Sequence, residues 1–272
     1  MDWSKAKTIL IGAFVVINLF LASRVFFVGQ QTDLIVSYEV AKEALSQRQI
    51  VLDQVFGEQA PVLPLLEVEY MVFDKEHPWL EILLGTDFSE LVDSEYFSND
   101  DGNVVVIQAG KKLQFYGGQN PLISLEISAR SQWMKDFFSQ LEIDLSEYQM
   151  EVEDQSQDRQ SYLFRRRWND VFIENDHIRV DFEHDQLVLL EIQRIQSIRE
   201  TQTQMRLSSP HESLLKLMKF EDIKNDRILD IQVVYYRNEN LIKWEEVVID
   251  QLEPVWKVFL ESGITKYLVE LE

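Results

Sequence analysis

The sequence predicts an α+β protein: an N-terminal transmembrane helix followed by two extracytoplasmic units, each a helix and then antiparallel sheet. Three patterns predict it. One apolar run near the N-terminus is long enough to cross a bilayer. Apolar stripes at helical spacing occur at residues 34–45 and 134–141. Period-two alternation marks much of the remainder as strand. The expected divisions are a cytoplasmic tail at 1–7, a span at 8–28, unit one at 29–127 and unit two at 128–272.

The span reads TILIGAFVVINLFLASRVFFV, 21 residues, with no charge from Thr8 to Ser23. Crossing the hydrocarbon core takes about 20 such residues in a helix. Arg24 comes one turn from the outer end, where its stem can lie along lipid and its head reach the headgroups. Lys5 and Lys7 make the inner flank positive, which places the N-terminus in the cytoplasm and the C-terminal part outside. Trp3 stands where an interfacial aromatic anchors the inner end. The competing reading is a cleaved signal peptide, with Leu21-Ala22-Ser23 as a weak cleavage site. The apolar character resumes at Val25-Phe26-Phe27-Val28, and the length favours an uncleaved anchor.

In the outer part, Thr32 or Asp33 can cap a helix whose face is Leu34, Tyr38, Ala41 and Leu45, ending near Gln47. Ile50-Val51-Leu52 reads as a strand. Leu66, Val68, Tyr70 and Val72 alternate with Glu67, Glu69 and Met71, and Trp79–Leu84 reads as another short strand. Asn99-Asp100-Asp101-Gly102 is a turn feeding the strand Val104–Ile107, and Gly117-Gly118 a second turn. A helix beginning near Ser128 carries Met134, Phe137, Phe138 and Leu141 on one face. Ile178, Val180 and Phe182 then alternate with Arg179, Asp181 and Glu183, and His184-Asp185-Gln186 turns the chain into Leu187–Ile195. Ser209-Pro210-His211-Glu212 has the form of a capping box with proline at N1, followed by a buried face of Leu214, Leu215 and Met218. Strands near 228–236, 241–249, 254–260 and 266–271 complete the chain.

Charge and composition narrow the function. The net charge is −21. Residues 1–28 carry Lys5, Lys7 and Arg24 against Asp2, a net of +2, which leaves −23 on residues 29–272. Such a domain does not bind nucleic acid or anionic lipid through bulk electrostatics. The chain has no cysteine, which fits a bacterium whose outward-facing proteins dispense with disulfides. The sequence shows no zinc-protease, nucleophile-elbow or phosphate-loop motif. His177 and His184 are an odd number of residues apart, so a strand sends them to opposite faces; the four histidines are expected as surface residues. Setting Gly102 at the sixth position of a calcium loop puts Phe97 first and Gln108 twelfth, where acids are required. Arg165-Arg166-Arg167 alternate across a strand, so Arg165 and Arg167 are expected to be solvated or paired with acids, with partner docking the alternative. No catalytic residue, metal ligand or cofactor site is assigned.

Within the span, Asn18 lies near mid-depth, where an amide needs a hydrogen-bonding partner. Ile11, Val15, Asn18 and Ala22 share one stripe and form the expected face for packing against another membrane helix. A plain anchor that tolerates one asparagine is the alternative.

The opening Met1-Asp2-Trp3-Ser4-Lys5-Ala6-Lys7-Thr8-Ile9, the later Ile17-Asn18-Leu19-Phe20-Leu21 and the ending Pro254-Val255-Trp256-Lys257-Val258 resemble the YycI (WalI) proteins. The single span and acidic outer part match the same layout. This resemblance implies a single-pass protein of a Gram-positive cell membrane that is not an enzyme. It would act with a YycH-like sister protein on a WalK (YycG)-like sensor histidine kinase of a cell-wall two-component system, largely through transmembrane helix packing. It implies an α+β outer domain similar to later domains of the sister protein. A bitopic scaffold of a division or wall-synthesis complex would share the topology, and an anchored extracytoplasmic enzyme would need converging acids.

Overall fold

The computed structural model describes residues 14, 17, 18, 36–73, 79–90, 95–118, 123–155, 158–238 and 248–270. The chain forms two compact units, Met1–Ser37 and Tyr38–Glu272. In the first, Phe14, Ile17 and Asn18 are helical with exposed side chains. The rest of the expected span lies outside the described residues, including Ile11, Val15 and Ala22 of the packing face and the anchors Trp3, Lys5, Lys7 and Arg24. No helix among the described residues is long and apolar enough to cross a membrane.

The second unit is mixed α and β, mostly sheet. Helix α1 is Tyr38–Ser46, with Ala41 and Leu45 buried as the stripe requires. Val51 makes only a single bridge to Arg227, while Ile50 and Leu52 are core. Strand β1 (Val62–Tyr70) buries Leu66, Val68 and Tyr70.

Trp79–Leu84, expected as a strand, is instead helix α2. It buries Trp79, Leu80, Leu83 and Leu84, the spacing of one helical face, and Gly85 ends it at φ +81° with its N–H on the Glu81 carbonyl. A short apolar run fits either period, and burial on one side decided for the helix.

Strands β2 (Phe88–Glu90), β3 (Tyr96–Asn99), β4 (Val104–Gln108) and β5 (Lys112–Tyr116) form a meander. The Asn99–Gly102 turn is present, with Gly102 at φ +80°. Gly117 and Gly118 serve close approach: a Cβ there would overlap the carbonyl oxygens of Leu187 and Asp101.

Helix α3 (Ile127–Gln140) buries Met134, Phe137 and Phe138. Buried Arg130 ties it to the sheet through the Leu125 carbonyl, Gln160 and Asp185, with its guanidinium 4.7 Å from the Phe182 ring centre. Next come β6 (Tyr148–Gln155), β7 (Arg159–Trp168), β8 (Val171–Glu183), β9 (Gln186–Gln193) and β10 (Ile195–Arg206). Asn169-Asp170 and His184-Asp185 are two-residue hairpin turns with positive φ at both positions. Helix α4 (Pro210–Leu214) starts as expected, the Ser209 hydroxyl accepting from Glu212 N–H. Strands β11 (Ile228–Tyr236), β12 (Ile249–Leu260) and β13 (Thr265–Leu268) follow. Of the expected strand at 241–249, only Val248 and Ile249 are described.

The strand order is β10-β1-β12-β11-β8-β9-β5-β4-β3-β2, with β13 beside β12 and β6-β7 attached through β8. The β11–β8 contact is parallel; every other strand pairing among the described residues is antiparallel. Strands on both sides of the expected boundary near residue 127 pair with one another: β1 lies between β10 and β12, and β5 pairs with β9. Periodicity marks strands, but pairing order is a long-range property that it does not encode.

Among the described residues, one large core joins α2 and α3 to β4, β5, β8 and β9. A second gathers Leu66, Val68, Tyr70, Ile173, Ile195, Tyr235 and Leu252.

Candidate functional site

Strand β8 reads VFIENDHIRVDFE, with charges set inside an apolar run. Two of them, Glu174 and Asp176, are organising centres. Glu174 accepts from Lys257 Nζ at 2.7 Å, Tyr267 Oη at 2.7 Å and Arg165 at 2.9 Å. Arg165 also pairs with Glu151, and its guanidinium lies 4.1 Å from the Phe172 ring centre. Burial pushes the Glu174 carboxyl up, but Lys257, Tyr267 and Arg165 together outweigh it, so it sits below the usual carboxylate range.

Asp176 is fully buried. It accepts from Tyr148 Oη at 2.8 Å and faces Arg166 at 3.5 Å. Arg166 is shared with Glu147 and with the Ile195 carbonyl. Burial pushes Asp176 up to about 6, against the pull of the Tyr148 hydrogen bond and the Arg166 charge. Burial and the Asp176 charge push the Tyr148 hydroxyl well above its usual range, so it stays a donor.

Tyr148 also forms part of an open groove of about 700 Å³ between α3, the 142–146 turn and the β6–β7 hairpin. Its apolar lining is Met134, Ile143, Leu145, Tyr148, Met150 and Phe164. Lys135, Glu142 and Asp144 are its charged lining residues. Asp144 is held below the usual range by hydrogen bonds from Ser146. The arrangement can hold an apolar segment. Among the described residues no group of three His, Asp or Glu is placed to hold a metal ion.

The arginine run alternates as expected. Arg165 and Arg167 both flank Phe172, while Arg166 faces Asp176. Arg165 is paired with acids, one of the two expected outcomes, and is buried because Glu151 and Glu174 replace its water; Arg167 is exposed.

The histidines divide. His184 is exposed, and His77 lies outside the described residues. Partly buried His177 bonds the Glu174 carbonyl and Glu191. Against the surface expectation, His211 is buried beneath Tyr38 and Phe56, with neither ring nitrogen hydrogen-bonded. Burial pulls its pKa down, so it packs as a neutral ring.

The C-terminal Pro254-Val255-Trp256-Lys257-Val258 has a structural explanation. Pro254 stands where β12 changes one neighbour, from β1 at residues 249–252 to β13 at 256–259, so its missing N–H falls between the two ladders. The Trp256 indole donates to the Ser208 carbonyl, Lys257 reaches Glu174, and Val255 and Val258 are core.

Sequence reading missed Glu174, Asp176, Tyr148, Lys257 and Tyr267. The available signal was a charge inside an apolar strand.

No protein-family model matches the chain, and no curated protein matches it. Solved structures that match include an uncharacterised protein from Eubacterium rectale ATCC 33656, at 11% identity and a TM-score of 0.46, covering 76% of this chain and 82% of that one. They also include YycH from Bacillus subtilis, at 16% identity and a TM-score of 0.47, covering 76% of this chain and 53% of that one. The chain thus spans about half the length of the YycH chain.

Proposed function

We propose that this chain is a non-enzymatic, membrane-anchored regulator of a cell-wall sensor histidine kinase, acting with a YycH-like sister protein. The observation that carries this reading is the resemblance of Met1–Ile9 and Ile17–Leu21 to the YycI N-terminus, on a segment with the length and charge bias of a single span. The acidic outer part fits a domain kept off the membrane surface.

The mechanism follows from helix packing. A kinase membrane bundle with two arrangements shifts toward the one that a further helix binds better. A tenfold shift takes about 1.4 kcal/mol, within the range of one or two intramembrane hydrogen bonds. Asn18 is the residue that can supply one, with Ile11, Val15 and Ala22 completing its face. Replacement of Asn18 by leucine is expected to change kinase output several-fold, in the direction that loss of the regulator gives, while membrane insertion is kept, as read by a kinase-dependent reporter and by membrane fractionation. Unchanged output with Asn18→Leu would sink the packing mechanism.

The test of the function itself is purification of the tagged full-length protein from native membranes in mild detergent, followed by mass spectrometry. The reading requires a membrane histidine kinase and a second single-span protein, both lost when residues 1–28 are exchanged for an unrelated span. Division or wall-synthesis proteins in their place would make the chain a scaffold.

A further inference from the structure

The sheet ends on several edges, and they are not alike. Strands β2 and β13 are three and four residues long, too short to recruit another strand. Strand β10 is long but polar, with Arg199, Glu200 and the Thr201–Gln204 stretch exposed or nearly so. Charged and polar side chains on a long edge are a common device against unwanted pairing.

Strand β6 is different. It is eight residues long, and among the described residues its only strand neighbour is β7. Met150 is half exposed, and it lines the groove together with Tyr148, two residues earlier on the same face. Helix α3 covers the neighbouring strands through Phe138 on Phe164 and Trp133 on Phe182. The groove's apolar lining runs from Met134 on α3 to Tyr148 and Met150 on β6, which has no second strand neighbour among the described residues. Methionines at Met134 and Met150 give that surface adaptable walls.

We propose that β6 and its groove bind an extended, basic segment of another protein by strand addition. The ladder of β6 would supply main-chain hydrogen bonds, and alternate apolar side chains of the partner would enter the groove. Charge selects the basic partner. Glu142 and Asp144 outnumber Lys135 in the lining, and residues 29–272 carry −23. This inference stands apart from the kinase reading, because it concerns a surface of the outer unit and its test contains no kinase.

The test uses the full-length protein in detergent micelles. The probe is a fluorescent nine-residue peptide of alternating lysine and valine, and its control alternates glutamate and valine. The lysine peptide is expected to bind with a Kd in the tens of micromolar, to protect β6 amides from hydrogen exchange, and to lose at least tenfold in affinity with Met150→Lys. Met150 is half exposed, so that variant is expected to fold, and an unchanged thermal transition verifies it. The proposal is overturned by any of three results. Equal binding to the Met150→Lys variant would mean bulk charge attraction. Binding without protection of β6 would mean an occupant that is not an added strand. Absence of binding, or equal binding of the glutamate peptide, would remove the recognition altogether.

Discussion

Glu174 and Asp176 stand two residues apart on one strand, both largely or wholly buried, yet their carboxyls shift in opposite directions. Burial raises both; the difference lies in what meets them. Glu174 has an ammonium, a guanidinium and a phenol, all within 2.9 Å. Asp176 has one phenol at 2.8 Å, a backbone hydrogen bond from Ile195, and a guanidinium at 3.5 Å whose other contacts are Glu147 and the Ile195 carbonyl. A buried carboxylate stays ionised only when donors replace nearly all of its lost water. The pair therefore has two opposite couplings to pH. Asp176 binds its proton more tightly in the folded state, so its contribution is whole below about 3.8 and is lost as pH rises through about 6. Glu174 contributes above its ordinary value of 4.5, and that contribution is lost as pH falls through its lowered folded value.

The largest effect is expected at the fully supplied carboxylate. Lys257→Met removes one of the three donors and leaves a buried negative charge under-compensated, which should cost about 3–5 kcal/mol. Lys257→Met combined with Glu174→Gln removes both charges and keeps the volume, so most of that loss should return. Denaturant unfolding of the full-length protein at pH 7 measures both. Equal losses in the single and double variants would mean that the cluster does not act as a unit.

Next comes Asp176→Asn. A rise from 3.8 to about 6 corresponds to about 3 kcal/mol in all, of which about 2.4 kcal/mol is lost between pH 4 and pH 7. The asparagine variant should lack that fall while keeping the Tyr148 contact. Its advantage over the parent should be about 2.4 kcal/mol larger at pH 7 than at pH 4, by unfolding at the two pH values. A constant difference would show that the Asp176 pKa is not raised, and a smaller advantage at pH 7 than at pH 4 would show that it is as well supplied as Glu174; either would collapse the contrast.

These opposite environments were hidden in the sequence for a physical reason. Lys257 lies 83 residues from Glu174, and Tyr148 lies 28 from Asp176. Only pairing order brings them together, and apolar periodicity is silent on that order. What depends on neighbours was readable: the α1 and α3 stripes, the Ser209 cap, the Asn99–Gly102 turn and the alternation of Ile178, Val180 and Phe182. Trp79–Leu84 failed because six apolar-rich residues satisfy both periods. The groove was out of reach too, since its walls come from a helix, a turn and two strands. Its Met134 was legible only as part of a stripe.

The smallest and most specific effect is expected from Tyr148→Phe. The phenol has two neighbours, the groove on one side and Asp176 on the other. Phenylalanine keeps the ring that lines the groove and deletes the hydrogen bond that most favours Asp176 ionised. The folded pKa of Asp176 should rise further, because the removed bond was pulling it down. The stability–pH curve should then begin to fall at the same acidic limit but continue to a higher pH than in the parent. At pH 7 the loss should be about 1 kcal/mol, the net worth of one such bond. In the Asp176→Asn background the shift with pH should vanish, since no carboxylate remains to titrate. Peptide affinity at the groove should survive Tyr148→Phe in either background. If affinity and the pH curve moved together, the groove and the acid behind it would be one coupled device rather than two adjacent features sharing a ring.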